Sequence, residues 1–188
     1  MSDGSAFCWG GNNDNGQIGD GSTTERSAPV KIGGLSDVAD ITLGGYHESD
    51  PDDDNDPSTN TSTYYQTACA IAGGGDAYCW GGANAYGQIG NGTAEPRNTP
   101  TKVNGISKAS AISTDWGTTC AVADKKAYCW GDDDRSQLGS GGGSVKIPPR
   151  EVSSLTDVTS ISTGNGTSCA MASGSVWCWG ASTTTADR

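Results

Sequence analysis

The stretch TACAIAGGGDAYCWGGANAYGQIGNG, residues 67–92, decides the fold. Two short apolar runs, residues 67–72 and 76–81, flank Gly73, Gly74 and Gly75, the pattern of two strands folded back on each other as a hairpin. A second glycine-bracketed element, Gly87-Gln88-Ile89-Gly90, follows at once. The hairpin pattern returns as TTCAVA with KAYCWG (residues 118–131) and as TSCAMA with SVWCWG (residues 167–180). Asp124-Lys125 and Ser173-Gly174 supply the turns there.

The repeat extends well beyond the hairpin. Cys-Trp-Gly occurs four times, at Cys8, Cys79, Cys129 and Cys178, at intervals of 71, 50 and 49 residues, so the first interval carries an insertion. The first three copies lead into NGQIGDG, YGQIGNG and the degraded RSQLGSG, and then into SAPVKI, NTPTKV and IPPREV. Next come LSDVADITLGG, ISKASAISTDW and LTDVTSISTGN, whose alternation of apolar with small polar residues has the period of two that marks a strand. We name the alternating segment A, the hairpin strands B and C, and the Pro/Val segment D. A unit of about 50 residues with about four short strands is a propeller blade rather than a helical solenoid.

The expected fold is therefore all-β: a β-propeller-type repeat protein of about three four-stranded blades plus an incomplete N-terminal part, a partial or open propeller. Its divisions are an N-terminal half-repeat (1–34, strands C and D), a first full repeat (35–104) with an acidic insertion at 46–64, a second full repeat (105–152), and a third (153–188) without its last strand and with a short tail. In this reading the D strand SAPVKI is unpaired and complementary to the open last blade. The degraded GDDDRSQLG lacks the usual Asn and Gly before Gln137, so its loop is expected to be distorted or reused for contacts.

Composition agrees with many short strands and tight turns. Of 188 residues 29 are Gly, while hydrophobic residues make up 33% and charged residues 18%. A net charge of −11 works against binding nucleic acid or an anionic membrane surface. No run approaches the roughly 18 apolar residues of a membrane-spanning helix, so no membrane insertion is expected.

Six of the seven cysteines form close pairs: Cys69 with Cys79, Cys120 with Cys129, and Cys169 with Cys178. On adjacent hairpin strands each pair lies nearly opposite, within disulfide reach. The other reading is free cysteines buried as small hydrophobes. Disulfides would imply an oxidising, extracellular or cell-surface setting. Residues after Met1 show neither the basic start nor the apolar run of a signal peptide, so either the numbering begins after processing or the chain is a fragment. Cys8 is left over, as a free thiol, in a disulfide to another chain, or in exchange with Cys178 for the partner Cys169.

The fixed order of Cys-Trp-Gly, Gly-Gln-Ile-Gly, Pro/Val and Cys-Ala elements resembles the bacterial branch of the regulator-of-chromosome-condensation repeat family. The resemblance covers nearly the whole chain outside the insertion. It implies a propeller of about seven four-stranded blades, in which Trp9, Trp80, Trp130 and Trp179 pack between blades. Three to three and a half units do not close such a ring alone.

The insertion YHESDPDDDNDPSTNTST spaces Asp50, Asp52, Asp54 and Asp56 alternately. Such carboxylates can surround calcium, which takes 6 to 8 oxygen ligands, and the segment resembles the Asp-rich calcium loops of thrombospondin type-three repeats. It lacks the central Gly and distal Glu of an EF-hand loop. A solvated acidic loop is the competing reading.

Catalysis has little to stand on. His47 is the sole histidine, no Ser or Cys sits in a nucleophile motif, and Asp132, Asp133 and Asp134 are consecutive on a turn. Eukaryotic family members are associated with guanine-nucleotide exchange and chromatin binding, which the acidic balance and paired cysteines disfavour here. Secreted family members include inhibitors that grip proteins through loop aromatics; Tyr46, Tyr64, Tyr65, Tyr86 and Trp116 are this chain's contact candidates. The leading expectation is a non-enzymatic, extracellular structural subunit that self-assembles head to tail by strand complementation, into a ring or a filament. A protein-binding module is the alternative.

Overall fold

The structure is a computed structural model, and it describes residues 4–11, 13–48, 63–82, 84–140 and 146–180. Among the described residues there are thirteen strands and no helix. They form four antiparallel sheets in chain order. β1 (Phe7–Gly10) pairs with β2 (Arg26–Lys31). β3 (Asp40–Glu48), β4 (Thr63–Ala72), β5 (Asp76–Gly81) and β6 (Arg97–Lys102) form the second sheet. β7 (Ala109–Asp115), β8 (Thr118–Ala123), β9 (Lys126–Gly131) and β10 (Lys146–Glu151) form the third. β11 (Val158–Gly164), β12 (Thr167–Ala172) and β13 (Ser175–Gly180) form the fourth. The second and third sheets are complete A–B–C–D blades; the first holds C and D, and the fourth holds A, B and C. β2 is not an unpaired strand, because it is consumed in a sheet with β1.

The hairpins form as their turn chemistry dictates. Asp124 and Lys125 have φ of 47° and 62°, and Ser173 and Gly174 have 49° and 76°. Two consecutive positive φ values give the turn whose twist matches antiparallel strands. That register sets Cys69 opposite Cys79, Cys120 opposite Cys129, and Cys169 opposite Cys178. All three pairs are disulfides, so the cysteines are not free buried hydrophobes. Cys8 is a free thiol.

The A segments are shorter as strands than their alternation suggests. Each begins with a turn in which a non-glycine residue takes positive φ: Asp37 (50°), Lys108 (54°) and Asp157 (51°). The buried Leu35, Ile106 and Leu155 anchor these turns. Backbone bonds then tie each A strand to the sheet before it, from Val38 N to Gly4 O (2.9 Å), Ala109 N to Gly75 O (2.8 Å), and Val158 N to Lys125 O (2.8 Å).

Three apolar layers hold the sheets together, one at each junction. Ala6, Ile32, Leu35, Ala68, Ala70 and Trp80 fill the first; Ile71, Ile89, Val103, Ile112 and Trp130 are central to the second; Val122, Leu138, Val152, Ile161 and Ala170 are central to the third. Alanines on the B strands let neighbouring sheets approach closely.

One polar contact repeats at every junction. The indole N–H of Trp80 donates to Gln17 O (3.0 Å), Trp130 to Gln88 O (2.8 Å), and Trp179 to Gln137 O (2.8 Å). The acceptor is always the Gln carbonyl of the preceding loop, Gly-Gln-Ile-Gly in the first two and Ser-Gln-Leu-Gly in the third. The glycine closing that loop is required by space as well as conformation. Gly90 has φ of 74°, and a Cβ there would lie 2.6 Å from Trp130 Nε1. Trp9 departs from the expected packing: it is 59% exposed, whereas Trp80 and Trp130 are fully buried.

The degraded loop keeps its shape. Ser136 adopts φ of 58°, close to the 73° of Gly16 and 74° of Gly87. Gln137 Oε1 accepts from Arg135 N (2.7 Å), as Gln17 Oε1 does from Asn15 N and Gln88 Oε1 from Tyr86 N (3.2 Å each). The expected distortion is absent because the Gln side chain, still present, bridges the turn.

Gly90→Ala is predicted to destabilise the protein by at least ~2 kcal/mol, from left-handed backbone strain together with displacement of the Trp130 ring. Denaturant unfolding followed by tryptophan fluorescence measures it, and a loss below half that value would refute the steric account.

Candidate functional site

The two ends of the stack differ from its interior. Ile112 and Ile161, opposite Ala121 and Ala170 in their sheets, are 5% and 9% exposed; Ile41, at the same register position opposite Ala70, is 47% exposed. Leu43 and Trp9 beside it are exposed too. At the other end the same comparison holds. Met171 is 47% exposed against 2% for Ile71 and 1% for Val122, and Val176 is 71% exposed where Ala77 and Ala127 are fully buried. Trp177 on β13 is also exposed. These six are the large exposed apolar residues among the described residues, and all but Trp177, which shares the β13 face of Trp179, lie where an inner repeat is covered by its neighbouring blade.

Each end also presents an open strand edge. Among the described residues β1 pairs with β2 alone, and β13 with β12 alone. Beside β1 two hollows follow the strand in step: one of about 400 Å³ is lined by Ala6, Phe7 and Ile41, and one of about 250 Å³ by Cys8, Trp9, Ile18 and Leu43. The half-buried Cys8 thiol lies along this edge. Burial pushes its pKa up, the hydrogen bond with the Trp9 backbone pulls it down by less, and the negative charge of Asp20 adds to the rise.

A second candidate lies on the loop rim. Tyr86, Trp116, Asp132, Asp134 and Arg135 line a cleft of about 170 Å³. The Arg135 guanidinium stacks over the Trp116 ring at 5.1 Å from its centroid. Trp116 has φ of 48°, a left-handed conformation that is strained for a bulky residue. Tyr86 and Trp116 are thus brought together. Tyr46 and Tyr65 lie directly opposite each other in the β3–β4 ladder, with His47 opposite Tyr64, so both ends of the insertion continue a paired hairpin. Asp50, Asp52, Asp54 and Asp56 lie outside the described residues.

Asp133 is a residue that sequence reading placed on a hydrated turn; it is instead 3% exposed. It occupies the position of Asn13 and Asn84. Its Oδ1 accepts from Leu138 N (3.0 Å), as Asn13 Oδ1 does from Ile18 N (2.9 Å) and Asn84 Oδ1 from Ile89 N (3.0 Å). The asparagines also donate from Nδ2 to two loop carbonyls, Asn13 to Ser22 and Thr24, and Asn84 to Thr93 and Glu95. Asp133 Oδ2 is buried without a hydrogen-bond partner among the described residues. The loss of the usual Asn is legible in the sequence of this loop, whereas the burial of the Asp in its place is not.

A sequence model of the regulator of chromosome condensation (RCC1) repeat matches residues 3–48, 74–122 and 124–171. The chain belongs to this repeat family. Its blades are those of an RCC1-type β-propeller, and the matched segments bracket each of the three inter-sheet junctions. Among solved structures, human WBSCR16 aligns with a TM-score of 0.69 at 22% identity, over 93% of this chain and 42% of its own. Prp20p from Saccharomyces cerevisiae, solved in work on its binding to Gsp1p and histones, aligns at 0.67 and 18% identity, over 93% of this chain and 40% of its own. At these identities the likeness concerns the fold. The chain spans about two fifths of the length of either RCC1-type structure.

Two outcomes check the site geometry. Asp133→Asn is predicted to raise stability by about 1–3 kcal/mol, since the amide restores the missing donor; an unchanged or lowered unfolding midpoint would refute this. Alkylation of Cys8 by iodoacetamide, followed by intact mass, is predicted to need a higher pH than free cysteine does, because thiolate is the reactive form and burial disfavours it. A profile at or below that of free cysteine would contradict the raised pKa.

Proposed function

We propose that this RCC1-type protein is a non-enzymatic interaction module that works in an oxidising, extracellular setting and assembles end to end with further copies of itself. The observation that carries the reading is that five of the six large exposed apolar side chains, Trp9, Ile41, Leu43, Met171 and Val176, stand at positions where the inner repeats bury the corresponding residue. Each such side chain contributes roughly 1.5–3 kcal/mol when fully buried. The faces left open at the first and last described blades carry apolar side chains.

The two faces differ, so the contact is heterologous and propagates head to tail into a ring or a filament. The open edges of β1 and β13 offer unpaired backbone groups for strand addition. Three disulfides support the oxidising setting. The net charge of −11 opposes nucleic acid as the partner.

The rim cleft supports a second reading, a protein-binding site built on loop aromatics, favoured by the strained Trp116 backbone and its stacked Arg135. The work on Prp20p with Gsp1p and histones sets a precedent for protein binding by this fold.

Sedimentation velocity over a concentration series tests the assembly. Wild type is predicted to grow in size with concentration, while Leu43→Asp and Met171→Asp, one at each end, are each predicted to weaken growth. Mixed together, these two variants keep one intact contact and stop at dimers. A wild type that stays monomeric at its highest soluble concentration would overturn the reading.

A further inference from the structure

The β1–β2 sheet is already half a blade, residue for residue. Phe7 faces Lys31, Cys8 faces Val30 and Gly10 faces Arg26; in the complete second sheet Tyr78 faces Lys102, Cys79 faces Thr101 and Gly81 faces Arg97, with the same bulge. What a C strand takes on its other edge is shown three times in the chain. Residues of the B strand lie opposite it with cysteine facing cysteine, the preceding residue facing the Trp, and an Ala facing the aromatic. In the fourth sheet these residues are Cys169, Ser168 and Ala170.

β13 is the least secured of the three disulfide-bonded C strands. It is paired on one edge alone among the described residues, Val176, Trp177 and Cys178 are exposed, and the equivalent Cys79 and Cys129 are fully buried. The β1–β2 sheet carries what β13 lacks, a D strand already hydrogen-bonded in register.

We propose that the β1–β2 half blade of one copy replaces β13 of another, so that β11, β12, β1 and β2 form one four-stranded blade from two chains, joined by a Cys8–Cys169 disulfide. The proposal rests on the end-to-end assembly above and specifies its strands. Trp9 then takes the position of Trp179, with its indole N–H donating to the Gln137 carbonyl that Ser168 Oγ already reaches (2.8 Å). Ile41 meets Met171 as Ile112 meets Ile71 in the second apolar layer. Three exposed apolar groups are covered from the two sides by one junction.

The covalent step needs no oxidant or reductant. The Cys8 thiol gives its proton to solvent, and its sulfur attacks Cys169 Sγ. The Cys169–Cys178 bond breaks, and the electron pair leaves on Cys178 Sγ, which takes up a proton. One disulfide and one thiol stand on each side of the reaction. The attacked Cys169 is half-buried rather than enclosed, and the leaving Cys178 lies on the exposed strand that departs.

The test uses the full chain, prepared as an equal mixture of isotopically light and heavy protein, assembled, quenched with iodoacetamide and digested without reduction. Expected are linked peptides containing Cys8 of one isotope and Cys169 of the other, with Cys178 alkylated in proportion. Cys8→Ser is expected to lose all of the covalent dimer while still associating reversibly, with circular dichroism confirming its fold. Trp9→Ala, which leaves the thiol in place, is expected to lower the yield several-fold. Assembled wild type with Cys8 alkylated and Cys169–Cys178 intact would overturn the exchange and leave end-to-end assembly standing; a Cys8–Cys178 link would overturn the register. A chain that never assembles would overturn both.

Discussion

The indole N–H of each Cys-Trp-Gly tryptophan, donated to the Gln carbonyl of the preceding loop, is the contact on which the architecture depends. A single hydrogen bond of this kind contributes only about 0.5–1.5 kcal/mol net. Its importance lies in where it acts. The donor sits on a large ring buried between sheets, and the acceptor sits on a loop whose own turn is locked by Gln side chain and glycine. Breaking it would leave a buried indole N–H unsatisfied and loosen two sheets at once, although the Gln88 and Gln137 carbonyls would keep the hydroxyl donors Thr119 and Ser168. The same bond therefore sets how far apart neighbouring blades stand and which way each is turned.

A stack built from such junctions is stabilised by its neighbours rather than by one central core. The consequence is visible in the burial of equivalent positions. Ile112 and Ile161 are covered because a sheet with a B strand precedes them, and Ile41 is open because the β1–β2 sheet before it has no B strand among the described residues. Trp9 makes the point most directly: it shares its tripeptide with Trp80 and Trp130 and shares none of their burial. Exposure here is a property of position in the array, not of residue type. In the proposed assembly these uncovered positions, with the open strand edges beside them, form the contact between copies.

The disulfides play a local part. Each joins adjacent strands of one hairpin across a loop of nine or ten residues. They hold B to C within a sheet and leave the junctions between sheets to packing and the tryptophan bond. A blade is thus covalently stapled between B and C, while its D strand is joined to C without a covalent link.

Period-two alternation, Gly-rich turns and fixed cysteine spacing were enough to determine an all-β repeat, its strand order within a blade and its disulfide partners, because all of these follow from contacts between residues close in sequence. The A strands were read too long, since alternation continues through the turn that Asp37, Lys108 and Asp157 make with positive φ. The loop around Gln137 was expected to distort, but the Gln side chain preserves its shape. Only the tertiary structure decided that Asp133 is buried, that Tyr86 and Trp116 share a cleft with Arg135, and that Trp9, Ile41, Leu43, Met171, Val176 and Trp177 face outward. The physical reason is the same in each case: burial and partnership are set by the neighbouring blade, some 50 residues away in the chain, and a repeat motif is identical whether or not that neighbour is there.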